Sequence, residues 1–199
     1  AFHYNLATAY RRLNRMKEAR DQMEFFQETK AYQDTIQRQR KESQKNPKNV
    51  LLHAQMAETH LAVNNINEAI GAYQTAITLQ PSFVIGHDNL GTIYTQQGKF
   101  EKAIDAFQKV IQLDKNTAEP YLKLGWIYAR QQKYDLAESY LQQASQQDPK
   151  LISALQGLGE LYIQQGNLEE AIDSYVKLVK VDPTESQAWL RLGVLRINA

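Results

Sequence analysis

His3, His53 and His87 are the residues whose type and spacing could do chemistry in this chain. Imidazole ligates metals and carries protons near neutral pH. His53 and His87 are separated by the same interval at which other residues of the chain recur, and a stack of regular units would bring all three into one column. Such a column could hold a metal or fill a series of gaps between helices, and packing is the expected role, for His60 as well. No other constellation offers chemistry. The chain has no G-x-x-x-x-G-K-S/T, G-x-G-x-x-G or H-E-x-x-H motif and no nucleophile elbow. Its Asp and Glu residues are spread along helix faces, which leaves no acid–base dyad. Cys 0 excludes disulfides, thiolate zinc sites and cysteine nucleophiles. The expected protein is not an enzyme and uses no metal and no cofactor.

The elements that must position these side chains are bounded by composition. The 199 residues carry 23 Lys+Arg against 22 Asp+Glu, a formal net charge of +1. That balance argues against gripping nucleic acid by overall charge. Hydrophobic content of 43% and charged content of 23% match globular averages rather than disorder. No apolar run approaches the ~18 residues of a membrane helix, so membrane insertion is not expected. The chain opens on Ala1 in the middle of a pattern, and its ends are expected to be cut points in a longer array.

One period organises the sequence. Gly91, Gly125, Gly159 and Gly193 stand at i, i+34, i+68 and i+102. Tyr94, Tyr128 and Tyr162 keep the same step, as do Ala69, Ala103, Ala137 and Ala171. Pro81, Pro149 and Pro183 fall on multiples of that interval. Four residue classes on one period mean stacked supersecondary units. Within a unit the apolar spacing is helical: Leu90, Gly91 and Tyr94 share one face, and Phe100, Ala103, Phe107 and Val110 share another. Gly98 and Gly166 suit the left-handed turn between the two helices; Asn14 and Asn64 tolerate it, and Gln132 does so poorly. Small residues in both helices let the backbones approach closely. The predicted fold is an all-α, right-handed α-solenoid of stacked antiparallel helix pairs. Its units are 1–49, 50–83, 84–117, 118–151 and 152–185, and 186–199 forms the first helix of a truncated sixth.

These residues carry a family resemblance. Leu90-Gly91 with Tyr94, Ala103 and Phe107 resembles the tetratricopeptide repeat, whose signature W-x₂-L-G-x₂-Y…A-x₃-F…P returns every 34 positions. Leu124-Gly125 with Tyr128, Ala137 and Pro149 is similar, as is Leu158-Gly159 with Tyr162, Ala171, Tyr175 and Pro183. Met56-Ala57 and Leu6-Ala7 open weaker copies, and Trp189, Leu192 and Gly193 begin the last. His3, His53 and His87 stand where this family often has Trp, and His60 where it has Tyr.

The resemblance implies a concave groove lined by first helices, in which a peptide or a partner's helix lies. It places Asn5, Gln55 and Glu58 toward that groove in the first two units. It places Asp88, Asn89, Thr92, Lys123 and Trp126 there in the next two, with Arg130 near the rim, and Glu160 and Arg191 beyond. Trp126 is either an anchor for the partner or a packing residue against the next first helix. The groove does not match the family's carboxylate clamp, since Glu58 and Glu119 would repel a ligand carboxylate. An asparagine ladder of the kind found in repeat-bearing sugar transferases is at best partial, with Asn5 and Asn89 its members.

Two irregularities remain. The equivalent alanines of the first and second units, Ala7 and Ala57, are spaced more widely than one period. Phe25, Thr29, Tyr32 and Ile36 keep helical spacing through the excess, which is expected to lengthen the second helix; a separate short helix and a functional protrusion are the alternatives. Charge is also uneven: 11 Lys+Arg against 6 Asp+Glu give +5 over residues 1–49, while 12 against 16 give −4 over the rest. Arg38, Arg40, Lys41, Lys45 and Lys48 cluster without the interleaved aromatics that single-stranded nucleic acid needs. The expected function is a non-catalytic protein-interaction scaffold with a protein or peptide partner and no nucleic acid. The alternatives are a targeting or regulatory domain of a larger enzyme such as a glycosyltransferase, or self-association through uncapped ends.

Overall fold

Glycine at the crossing of two helices removes the Cβ that would hold them apart, and this contact recurs through the chain. The computed structural model describes residues 2–198. Among them lie eleven α-helices and no strand. They pair as α1 (Phe2–Arg12) with α2 (Met16–Lys45), α3 (Val50–Ala62) with α4 (Ile66–Leu79), and α5 (Val84–Gln96) with α6 (Phe100–Leu113). Next come α7 (Ala118–Arg130) with α8 (Tyr134–Gln147), α9 (Ile152–Gln165) with α10 (Leu168–Val181), and then α11 (Ser186–Asn198). This is the all-α solenoid class that the period predicts. The helices form two compact units, one reaching Gly86 and the other starting at His87.

The crossing is tight in each glycine-bearing pair. A Cβ on Gly91 would stand 2.6 Å from the Phe107 ring, on Gly125 2.7 Å from Leu141 Cγ, and on Gly159 2.6 Å from the Tyr175 ring. The facing alanines Ala103, Ala137 and Ala171 are fully buried. Each hairpin turn then closes the same way. A left-handed residue, Asn14, Asn64, Gly98, Gln132 or Gly166, follows the first helix. The next residue's amide donates back to the carbonyl of Tyr10, His60, Tyr94, Tyr128 or Tyr162 at 2.9–3.0 Å. That bond satisfies a helix-end acceptor. Gln132 adopts φ 59° despite its side chain, because Lys133 N still reaches Tyr128 O at 3.0 Å.

The excess residues form no separate element; α2 is one helix of 30 residues. Its first half packs on α1, where His3 Nδ1 meets Gln22 Oε1 at 2.8 Å and the His3 ring lies 4.3 Å from that of Phe25. Its second half packs on α3. There Asn65 Nδ2 donates to Tyr32 Oη at 2.8 Å, and the Tyr32 hydroxyl is hydrogen-bonded to His60 Nδ1 at 3.0 Å. Gln39 Nε2 donates to Thr59 Oγ1 at 3.0 Å, and Ile36 is buried in this contact. Thus α1 and α3 occupy successive stretches of α2.

Packing of this kind makes glycine substitutions informative. Gly125→Ala forces Leu141 aside and should cost about 1–3 kcal/mol. Gly193→Ala meets nothing within 4 Å and should stabilise α11 by about 0.5–1 kcal/mol; urea unfolding of both variants reads the opposite signs. His60 is a buried imidazole. Burial holds its pKa below the usual 6.5, with Glu68 opposing and Arg40 reinforcing the shift. The unfolded chain therefore takes up the proton first as pH falls through 6.5, and acid destabilises the fold. The thermal midpoint should drop between pH 7.5 and 5.5 by more in the parent chain than in His60→Gln; equal drops would refute this role.

Candidate functional site

Exposed side chains on first helices are free to meet a partner only if the fold has not already paired them. In the unit that starts at His87, α5, α7, α9 and α11 present a row of such residues, joined by contacts from one helix to the next. Lys123 Nζ donates to both Asp88 carboxylate oxygens, at 2.8 and 3.0 Å, tying α7 to α5. The same ammonium lies 5.3 Å from the centre of the Phe107 ring. The Asp88 side chain is 32% exposed and that of Lys123 25%. Thr92 turns its hydroxyl onto the Asp88 main-chain oxygen at 3.0 Å, and Asn89 is half-buried and engaged.

Trp126 bridges α7 and α9. A Cβ on Gly157 would come within 3.3 Å of its Cζ2, so the indole rests where α9 lacks a side chain. It is still 39% exposed. The sequence left open whether Trp126 packs or anchors; its ring packs on α9 and keeps an exposed edge. Beyond it, Gln156 Nε2 donates to Glu160 Oε1 at 2.9 Å. A cavity of about 210 Å³ follows, with Glu160, Glu185 and Arg191 at its polar wall and Tyr175, Leu178 and Ala188 at its apolar one. Burial, with the Glu160 charge adding to it, raises the Tyr175 hydroxyl pKa. Arg130 is exposed, its guanidinium 5.6 Å from the centre of the Phe100 ring.

In the unit that reaches Gly86, Gln55 and Glu58 are exposed on α3 and Asn5 is exposed on α1. Because α1 and α3 lie on different stretches of α2, Asn5 is not brought beside the other two. Tyr73 of α4 is fully covered, and its hydroxyl has no hydrogen-bond partner among the described residues. Burial and the Glu58 charge push its pKa up to about 12.

Sequence reasoning missed Tyr175 and Glu185 as parts of the row. One signal was available. Where the first helix carries Glu58 or Glu160, the equivalent second-helix residue, at i+15, is Tyr73 or Tyr175; where it carries Thr92 or Trp126, that residue is Phe107 or Leu141. The histidines have local roles. His53 Nε2 lies 3.1 Å from Pro47 O, as Trp189 Nε1 donates to Pro183 O at 3.0 Å. A carbonyl only accepts, so His53 carries its proton on Nε2 and does the work of an indole N–H. Among the described residues no group of three or more His, Asp or Glu side chains is arranged to hold a metal ion. No helix among them is long and apolar enough to cross a membrane.

A TPR-repeat family model matches residues 91–132, and two tetratricopeptide-repeat models match residues 128–195 and 1–24. No curated protein sequence matches the chain. Among solved structures, MamA is similar at 24% identity over 80% of this chain and 94% of its own, with a TM-score of 0.71. YrrB, described as a TPR protein with an unusual peptide-binding site, is similar at 22% identity over 80% and 82%, with a TM-score of 0.66. The first TPR of Spaghetti (RPAP3), bound to the HSP90 peptide SRMEEVD, is similar at 23% identity over 58% and 94%, with a TM-score of 0.53. Repeat motif, helix-pair geometry and family models agree: the chain belongs to the tetratricopeptide-repeat family.

Proposed function

We propose that the chain is a non-catalytic scaffold that holds a peptide or helical segment of a partner protein along the first helices of the unit starting at His87. The observation that carries this reading is Trp126, a large aromatic seated on Gly157 yet 39% exposed, beside the cavity at Glu160 and Arg191. Binding hot spots are enriched in Trp, Tyr and Arg at fixed, partly covered positions. A pre-seated indole loses little freedom when a ligand covers it. The structures of YrrB and of the RPAP3 repeat, both described with peptides or peptide-binding sites, support a peptide as ligand.

The ligand class differs from an acidic C-terminus. Lys123 is already shared by two carboxylate oxygens of Asp88, so its charge is spent within the fold. Glu160 and Glu185 would repel a carboxylate entering the cavity. An apolar side chain against Trp126, with the ligand backbone bonded to amide side chains such as Asn89 and Gln156, fits the row. Gln55 and Glu58 are the corresponding candidates on α3, and Asn5 the one on α1.

A partner recovered with the intact chain should bind Trp126→Ala more weakly by at least about 1 kcal/mol, roughly fivefold or more in Kd, at unchanged helix content. Titration calorimetry with circular dichroism separates the two readouts. Unaltered affinity in a folded variant removes Trp126 as the anchor.

A further inference from the structure

Arg11, Met16, Arg20, Met23, Glu24 and Gln27 line an open cavity of about 480 Å³ along the first half of α2. Its place in the repeat register gives it meaning. When Ala19 is aligned with Ala137, Arg20 and Glu24 correspond to Glu138 and Gln142 of α8, and Met23 to Leu141. In α8 those residues seat the next first helix: Tyr162 of α9 donates its hydroxyl to Glu138 Oε1 at 2.9 Å and accepts from Gln142 Nε2 at 3.1 Å. The cavity is therefore the face on which a second helix receives the first helix of the following pair.

In α2 that face is unused. His60, the register equivalent of Tyr162, bonds instead to Tyr32, and Thr59 bonds to Gln39. Tyr32, which meets His60 as Glu138 meets Tyr162, stands at i+12 from Arg20. By ordinary helix geometry, α3 sits about 18 Å further along α2 and about 120° around it. The inserted residues have moved the following helix off its seat.

We propose that this seat takes, in trans, an amphipathic helix of an acidic partner protein. The occupant is helical because the equivalent face of α8 is filled by a helix. It is apolar toward the seat because Met16 and Met23 face it, two of the three methionines in the chain. Methionine adapts to varied apolar surfaces and recurs where proteins grip foreign helices. It is acidic because Arg11 and Arg20 outnumber the one carboxylate of the lining, Glu24, and form no ion pair among the described residues. Where α8 offers the acceptor Glu138 to a phenol, α2 offers the donor Arg20, whose complement is a carboxylate.

The probe is a fluorescein-labelled peptide of residues 152–165 carrying Tyr162→Glu, locked as a helix by a lactam between Gln156→Lys and Glu160. It copies the helix that fills the equivalent seat and sets a carboxylate opposite Arg20. Fluorescence anisotropy with the full chain should show saturable binding that weakens about tenfold in Arg20→Glu and in Met23→Asp. Met23→Leu and Trp126→Ala should bind as the parent does. Arg20 is exposed, so its variant remains informative if Met23→Asp fails to fold. No saturation by about 1 mM, or binding indifferent to Arg20→Glu, overturns the proposal. So does binding lost in Trp126→Ala instead, which would put the peptide on the first-helix row. A dimer of the chain itself that Arg20→Glu dissolves would also overturn it, by giving the seat to a second copy.

Discussion

The close approach of two helix backbones at a residue without a side chain is the contact on which the rest of the protein depends. Gly91, Gly125 and Gly159 let Phe107, Leu141 and Tyr175 press against first-helix backbone, at distances that a Cβ would forbid. Those large side chains are then nearly inaccessible and fill the space between successive pairs. Interiors packed this closely transmit small displacements. The first helices are held in register by that packing rather than by polar contacts, and their outward residues inherit fixed positions. Trp126 can rest on Gly157 because α7 and α9 are already held at the right separation.

The insertion in α2 shows how local that rule is. Its length is not a whole number of repeats, so the helix continues while the following pair must find a new seat. The sequence supplies one. Tyr32 enters from the inserted segment, and His60 replaces the tyrosine that α1, α5, α7 and α9 carry at that point, so one phenol serves where another is absent. The replacement costs a titratable group in the core, kept neutral by burial. A regular array would have needed neither residue.

Much of this was legible in the sequence. The period is carried by Gly, Ala, Tyr and Pro, residues whose substitution breaks the crossing or the turn, and the pairing of helices could be read from them alone. The continuity of α2 was legible because Phe25, Thr29, Tyr32 and Ile36 keep one spacing through the insertion. Gln132 misled, because propensity disfavours its left-handed conformation while the closing bond from Lys133 enforces it. The Asp88–Lys123 pair was hidden for a different reason. Lys123 stands at i+35 from Asp88, one beyond the period, and a contact between neighbouring repeats needs the rotation between them, which periodicity does not give. Tyr175 was read as part of the repeat motif, and its part in the row depends on which side of the helix pair stays open.

That ion pair bears on what the row can recognise. Its two groups are mostly covered, so neither is fully hydrated, and each is compensated by the other. A ligand charge placed there would have to break the pair and leave one partner covered and unmatched, which is costlier than losing an exposed bridge. For the ligand proposed above, selectivity over α5 and α7 would therefore rest on shape and on the indole edge of Trp126, with charge excluded by neutralisation rather than by repulsion. Over α9 and α11 the balance reverses: Glu160 and Glu185 stand against a single Arg191 around the cavity. A segment lying along the row would be read first by its apolar side chains and then, one repeat later, by the sign of its charge.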